Sequence, residues 1–291
     1  MPELPDITVY QEALDRFVVG NRIQRVIVRS PFVLRTFEPP VDVCEGREVQ
    51  AIERLGKRLV FRLSDDLFVV VHLMIAGRFH WKKPGVLPTR KVDLAAFHFD
   101  QGTLMLTEAS QKKRASIHVV QGREALAEHT RAGIDVLACK ASDFADRLRS
   151  QNRTLKRALT DPSMFDGIGN AYSDEILHAA RLSPVQLTSR LSDEEVETLF
   201  VAARETLLRW IDLLREEVGG QFPKKVTAFQ PRMAVHGKFG QPCPICESKV
   251  QRIVYATREF NYCPKCQTKG KVLRDRSLSR LLKDDWPSTL E

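Results

Sequence analysis

The chain has no apolar run long enough to cross a membrane. Leu67-Phe68-Val69-Val70-Val71 stops after five residues, against the roughly 20 that a spanning helix needs. Nor does it open on a basic region followed by an apolar stretch, so no export signal is read at the N-terminus. Six cysteines in 291 residues are too few for a disulfide scaffold. A cytoplasmic protein without a membrane partner is expected. Acid is in short supply, with 37 Asp+Glu against 45 Lys+Arg and a net charge of +8, which points toward polyanions. What is present is a hydrophobic content of 43%, enough for real cores, in a length that suits about two domains.

Tyr10, Ala13, Leu14, Phe17 and Val18 recur at helical spacing between Pro5 and Gly20. They predict an amphipathic first helix, with Asp6 as its cap and Gly20 as its stop. The pattern then changes to short alternating runs: Ile23–Val28, Val49–Ile52, Leu59–Leu63, Leu67–Leu73, Leu94–Phe99, Thr103–Leu106 and Ser116–Val120. Such spacing predicts a β-sandwich or barrel, with the first helix packed at one end and the N-terminus near the rim. After a charged connection, helices are expected over Thr154–Leu159, Ala171–Arg181 and Ser192–Val218. The last has a Ser192/Glu195 capping box and an apolar stripe from Val196 to Leu214 that reads as core. Cys44 and Cys139 read as packing residues.

Three places suggest chemistry. A proline behind the initiator methionine favours removal of Met1, which would leave Pro2 with a secondary amine beside the Glu3 carboxylate. An α-amino pKa near 8 leaves part of it neutral and able to form an imine with a sugar carbon, with Glu3 as general acid or base. The plainer reading is a proline that merely starts a helix. Cys243-Pro244-Ile245-Cys246 and Cys263-Pro264-Lys265-Cys266 are two C-x-x-C pairs with sixteen residues between them. Four thiolates at that spacing predict one closed, structural zinc site; a redox pair is the alternative. The interval reads as a hairpin, Val250–Tyr255 and Asn261-Tyr262, with its turn at Thr257–Glu259. Arg258 at its tip suits a phosphate contact. Gly167-Ile168-Gly169-Asn170 before a helix also suits phosphate, with Asn170 as cap, although such a stretch often serves simple turn chemistry.

Gly167-Ile168-Gly169-Asn170-Ala171-Tyr172-Ser173-Asp174-Glu175-Ile176-Leu177, followed by Ala180-Arg181-Leu182-Ser183-Pro184, resembles the helix–two-turns–helix element of the formamidopyrimidine-DNA glycosylase/endonuclease VIII family. Pro2-Glu3-Leu4-Pro5, the β region and the four-cysteine finger extend the resemblance over nearly the whole chain in the same order. It implies an α+β multidomain fold: an N-terminal helix and catalytic β-sandwich (1–122), a connecting segment (123–150), a helix–two-turns–helix DNA-binding domain (151–222), a zinc finger (236–270) and a C-terminal tail (271–291), its helix expected around Leu278–Leu282. It implies a bacterial, monomeric base-excision-repair enzyme that acts on damaged double-stranded DNA, with Pro2 as nucleophile and Glu3 as its acid/base partner. Lys57 takes the place of a DNA-contacting proton donor, Lys156 and Asn170 those of phosphate-binding residues, and Arg258 that of the finger arginine that clamps a phosphate. One structural zinc ion is implied.

The chain departs from the family pattern in three stretches. His72-Leu73-Met74-Ile75-Ala76-Gly77 puts Ile75 at the position of the methionine that fills the hole left by the extruded base, with Met74 one earlier. The loop that brings an arginine and an aromatic becomes Glu108-Ala109-Ser110-Gln111-Lys112-Lys113-Arg114-Ala115, without an aromatic; Lys112, Lys113 and Arg114 remain for DNA. Gln221–Ala234 is shorter than the loop that caps the base in 8-oxoguanine-specific members. Ring-opened formamidopyrimidines, hydantoins, oxidised pyrimidines and abasic sites therefore come into view as substrates. Other classes to weigh are a noncatalytic damaged-DNA-binding protein, an abasic-site lyase without base excision, and a zinc-ribbon module that binds protein.

Overall fold

The computed structural model describes residues 1–224, 226–227, 229–255 and 258–273. It divides into two units, Met1–Arg131 with Trp210–Thr227, and Ala132–Arg209 with Ala228–Glu291. In the first, helix α1 (Leu4–Val18) precedes β1 (Arg25–Val28), β2 (Val49–Leu55), β3 (Arg58–Leu63), β4 (Leu67–His72), β5 (Gly77–Lys82), β6 (Asp93–Phe99), β7 (Gly102–Glu108), β8 (Ser116–Gln121) and α2 (Arg123–Ala127). The strands form two antiparallel four-stranded sheets, β1-β6-β7-β5 and β2-β3-β4-β8, as expected of a sandwich.

Ile7, Tyr10, Ala13, Leu14 and Val18 lie on one face of α1 and join Leu59, Phe61, Val69, Val71, Phe79 and Leu106 in a single buried cluster. The larger of these, such as Ile7, Leu14 and Val18, each contribute about 1.5–3 kcal/mol when fully buried, so tertiary packing holds this helix in place. The run Leu67–Val71 is explained by burial on both sides. Val69 and Val71 face the inner cluster, while Phe68 and Val70 pack with Val60, Val120 and Leu126 of α2. Arg123 lies over the Phe68 ring at 4.8 Å and donates to both Glu53 oxygens at 2.7 and 2.8 Å. No helix among the described residues is long and apolar enough to cross a membrane.

Two expectations are corrected here. Helix α1 starts at Leu4, with Glu3 at the cap position. Asp6 sits in the first turn, and its Oδ2 accepts the Glu3 N–H at 2.8 Å, so it closes the turn from inside and is not the cap. Strand β5 was missed although Phe79 alternates with Arg78 and His80; it has no β-branched residue to mark it.

The second unit holds α3 (Ala141–Arg149), α4 (Leu155–Thr160), α5 (Asn170–Ala179), α6 (Asp193–Val218, counted here as far as Arg209), β9 (Gln251–Tyr255), β10 (Arg258–Tyr262) and α7 (Pro264–Thr268). Phe144 packs its ring on Phe165 at 4.7 Å and Phe200 at 5.3 Å. The Ser192/Glu195 box forms in both directions, at 3.0 and 3.1 Å. In the hairpin Tyr255 stands opposite Arg258. Arg258 and Glu259 therefore belong to strand β10 and not to a turn over Thr257–Glu259. Residues 256–257, the Arg258 side chain and the expected tail helix lie outside the described residues.

Candidate functional site

Antiparallel pairing sends three connections to the same end of the sandwich. Arg58 stands opposite His72, His72 opposite Ser116, and Gly77 opposite Glu108. The β2–β3 turn with Lys57, the β4–β5 turn and the β7–β8 loop therefore share one rim. The chain's N-terminus lies in the same electrostatic neighbourhood. Burial holds the Met1 amine below its ordinary 8.0, opposed by the Glu3 and Asp6 charges and assisted by Arg78 and Lys57. Pro2, Glu3 and Asp6 are all buried. Burial also raises the Asp6 carboxyl from 3.8 to about 7, against the hydrogen bond from Glu3. Its Oδ1 has no hydrogen-bond partner. Asp6 lines a cavity of ≈ 310 Å³ together with Val9, Leu214, Val218, Phe222 and Lys224.

In the β4–β5 turn, His72 Nδ1 accepts the Met74 N–H at 2.9 Å, which requires a neutral imidazole. Burial, reinforced by Arg58 and Lys57, pushes the His72 pKa down to about 4. Met74 is half-buried at φ 53°, and Ile75 is exposed at the apex. Gly77 closes the turn by donating to Leu73 O at 2.8 Å; a Cβ there would fall 2.2 Å from that oxygen, so no other residue fits without movement.

The β7–β8 loop folds around a buried carboxylate. Glu108 accepts from Ser110 Oγ at 2.9 Å, Arg114 N at 2.8 Å and Ala115 N at 3.0 Å. Lys112 and Arg114 are exposed. Lys113 turns back, its ammonium donating to Glu108 O, so of the three expected DNA cations it is the one held within its own loop.

In the second unit Gly169, not Asn170, is the α5 cap. Asn170 is the first helical residue, and its Nδ2 donates to Glu259 O at 2.9 Å, fastening β10 to the helix start. Lys156, expected at the DNA backbone, lies in the interior at the start of α5. It is 1% exposed, donates to Asn170 O at 2.7 Å and forms an ion pair with buried Asp174. A lysine so placed shapes the start of α5 from within. Asp174 also meets His236 Nδ1 at 2.8 Å. Glu175 accepts the N–H groups of Ala234, Val235 and His236 at 2.8, 2.9 and 3.0 Å. Sequence reading missed Asp174, Glu175 and His236. An adjacent acid pair flanked by Ala171, Tyr172, Ile176 and Leu177 was the available signal, because acids among apolar neighbours are buried only when paired.

The sulfurs of Cys243, Cys246, Cys263 and Cys266 all lie within 4.8 Å of one another, and no other such group occurs among the described residues. Cys246 is 3.4 Å from Cys263 and 3.5 Å from Cys266, and Cys243 is 3.9 Å from Cys266. Tetrahedral thiolates at about 2.3 Å from zinc stand ~3.8 Å apart, so the set fits that ion. His178 Nε2 lies 3.2 Å from the Cys243 sulfur, an outer contact of the kind that orients a ligand.

Residues 1–115 match the formamidopyrimidine-DNA glycosylase N-terminal domain, and residues 134–219 the formamidopyrimidine-DNA glycosylase H2TH domain. The formamidopyrimidine-DNA glycosylase of Thermus thermophilus is 32% identical over 282 residues, covering 93% of this chain and 100% of its own. That of Listeria innocua is 30% identical over 277 residues, covering 92% and 100%. Among solved structures, the Lactococcus lactis Fpg in complex with DNA containing an abasic site superposes with a TM-score of 0.81 at 25% identity, covering 91% of this chain and 99% of that one. The same protein with DNA containing Fapy-dG gives 0.81 at 26%, covering 91% and 100%.

Proposed function

The chain belongs to the formamidopyrimidine-DNA glycosylase family, and from that premise we propose that it excises damaged bases from double-stranded DNA in base-excision repair and then cleaves the strand as an abasic-site lyase. It acts as a monomer on chromosomal DNA in the bacterial cytoplasm. The observation that supports this reading is the placement of buried Pro2 and Glu3 at an N-terminus that feels the charges of Arg78 and of Lys57 on the rim.

After removal of Met1, the Pro2 nitrogen lone pair bonds to C1′ of an extruded nucleotide. The C1′–base bond breaks, and its electrons leave with the base, which takes up a proton. Glu3 protonates O4′ as the sugar ring opens, leaving an iminium between Pro2 and C1′. The iminium acidifies C2′. Loss of that proton expels the 3′ phosphate, a second elimination expels the 5′ phosphate, and hydrolysis frees Pro2. Lys57 serves as proton donor to the sugar, Arg258 holds a phosphate, and Asn170, with one amide N–H on Glu259 O, offers the other to a phosphate. Phe222 is buried against Tyr10 and Phe17, at 6.0 and 5.6 Å between ring centres. The segment after α6 is thus anchored near its start; it is the shortness of Gln221–Ala234 that supports ring-opened formamidopyrimidines, hydantoins, oxidised pyrimidines and abasic sites as substrates.

Zinc, held by the four cysteines, supplies only the rigidity of the finger. Metal analysis is expected to give about one zinc per chain, lost together with DNA affinity on Cys246→Ser; a metal-free wild type would refute the site.

The test of the enzyme is borohydride trapping on an abasic duplex, with the N-terminus established by mass spectrometry. Processed protein is expected to form a covalent adduct, and protein that retains Met1 is expected to form none. Glu3→Gln is expected to lose free-base release from a damaged duplex. Processed protein that binds the duplex without forming an adduct would leave a noncatalytic damage-binding protein.

A further inference from the structure

The β7–β8 loop is drawn back onto Glu108 and has no aromatic between residues 109 and 114. An aromatic stands at the same end of the sandwich on another connection. Strand β1 runs antiparallel to β6 with Val28 opposite Ala95, so it ends where β6 begins and where β7 ends. The chain then enters a 3₁₀ turn, Pro31–Val33, whose middle residue Phe32 is 79% exposed.

The backbone around Phe32 is pinned on both sides. Arg29 and Ser30 both donate to Leu94 O, at 2.9 and 3.1 Å. Val33 is buried, Leu34 bridges to Ile117, and Arg35 donates to Ile117 O at 2.9 Å. Ile117 is only three residues beyond Arg114. Phe32 is therefore a bulky ring on a short, fixed turn, with Arg29, Arg35 and Arg114 in the surrounding segments. A single exposed apolar residue is ordinary, but a ring held out from a rigid turn among cations is complementary to nucleic acid, whose bases offer π faces and whose backbone offers negative charge.

We propose that Phe32 is the aromatic that stacks on a DNA base left without its partner at the lesion, taking over from the β7–β8 loop. The proposal rests on the reading of this protein as one that binds damaged duplex. Phe37 provides an internal comparison. It is 82% exposed, but it follows Thr36, whose Oγ1 accepts the Val119 N–H at 2.7 Å, and so it stands alongside the middle of β8 and away from the rim.

The experiment measures binding to two duplexes, one intact and one carrying a tetrahydrofuran abasic analogue opposite 2-aminopurine, whose fluorescence falls on stacking. Wild type is expected to prefer the abasic duplex and to quench the probe. Phe32→Ala is expected to lose about tenfold of that preference, the size of one base–aromatic stack, together with most of the quenching. Phe32→Trp is expected to restore both, and Phe37→Ala to retain them. Unchanged preference and quenching in Phe32→Ala, or an equal loss in Phe37→Ala, would overturn the assignment. Adduct formation by the wild type is scored separately: a protein that never forms an adduct yet shows the Phe32-dependent preference would sink the enzyme reading and leave this one standing.

Discussion

Asp174→Ala is expected to lower the stability of the second unit by about 3–5 kcal/mol, the usual cost of removing one partner of a buried ion pair. Asp174 is fully buried, and its partners are a lysine that is 1% exposed and His236. The loss of a surface pair would cost at most ~1 kcal/mol. What makes the difference is the Lys156 ammonium, which would be left in the interior beside Asn170 O without its carboxylate. Combining Asp174→Leu with Lys156→Met is expected to recover most of the stability, because neither charge is then stranded. Recovered stability without recovered DNA affinity would show that the pair shapes the start of α5 for binding. Urea denaturation and salt-dependent duplex binding measure the two effects separately. A cost below ~1 kcal/mol for Asp174→Ala would show that the network is open to water.

The second large effect is a pH dependence. The Asp6 carboxyl holds its proton up to about pH 7 in the folded chain, against an ordinary 3.8. Between those two values the folded state binds a proton that the unfolded state has released. Stability therefore falls as pH rises through that window and levels off above it. About three pKa units correspond to on the order of 4 kcal/mol. Asp6→Asn keeps an oxygen for the Glu3 N–H and carries no charge. It is expected to be more stable than the parent at pH 8 and close to it at pH 4, as read from melting temperatures across that range. An equal gap at both pH values would show that Asp6 does not titrate in this window.

Features set by local pattern were legible in the sequence. Alternation and turn residues marked seven of the strands that build the sandwich, and the Ser192/Glu195 box marked the start of α6 to the residue. The two C-x-x-C pairs marked a cluster that the fold closes. Features set by distant partners were not legible. Nothing near Lys156 in the chain says that Asp174, eighteen residues on, will bury its charge. Asp6 reads as a cap because aspartate favours caps, yet Glu3 holds that position and burial decides what the Asp6 carboxyl does. Asn170 reads as a cap for the same reason, and its amide is taken by a carbonyl of β10, 89 residues away. The chemistry of the rim was accessible only as residue types; their gathering at one end follows from strand register.

The loop that hangs on Glu108 separates shape from content. One carboxylate fixes both ends of the connection, so the side chains at Gln111 and Lys112 carry no part of its architecture. The tip is in effect an exchangeable cassette. Substitutions at those two positions are expected to leave the backbone of the loop in place while Glu108 stays.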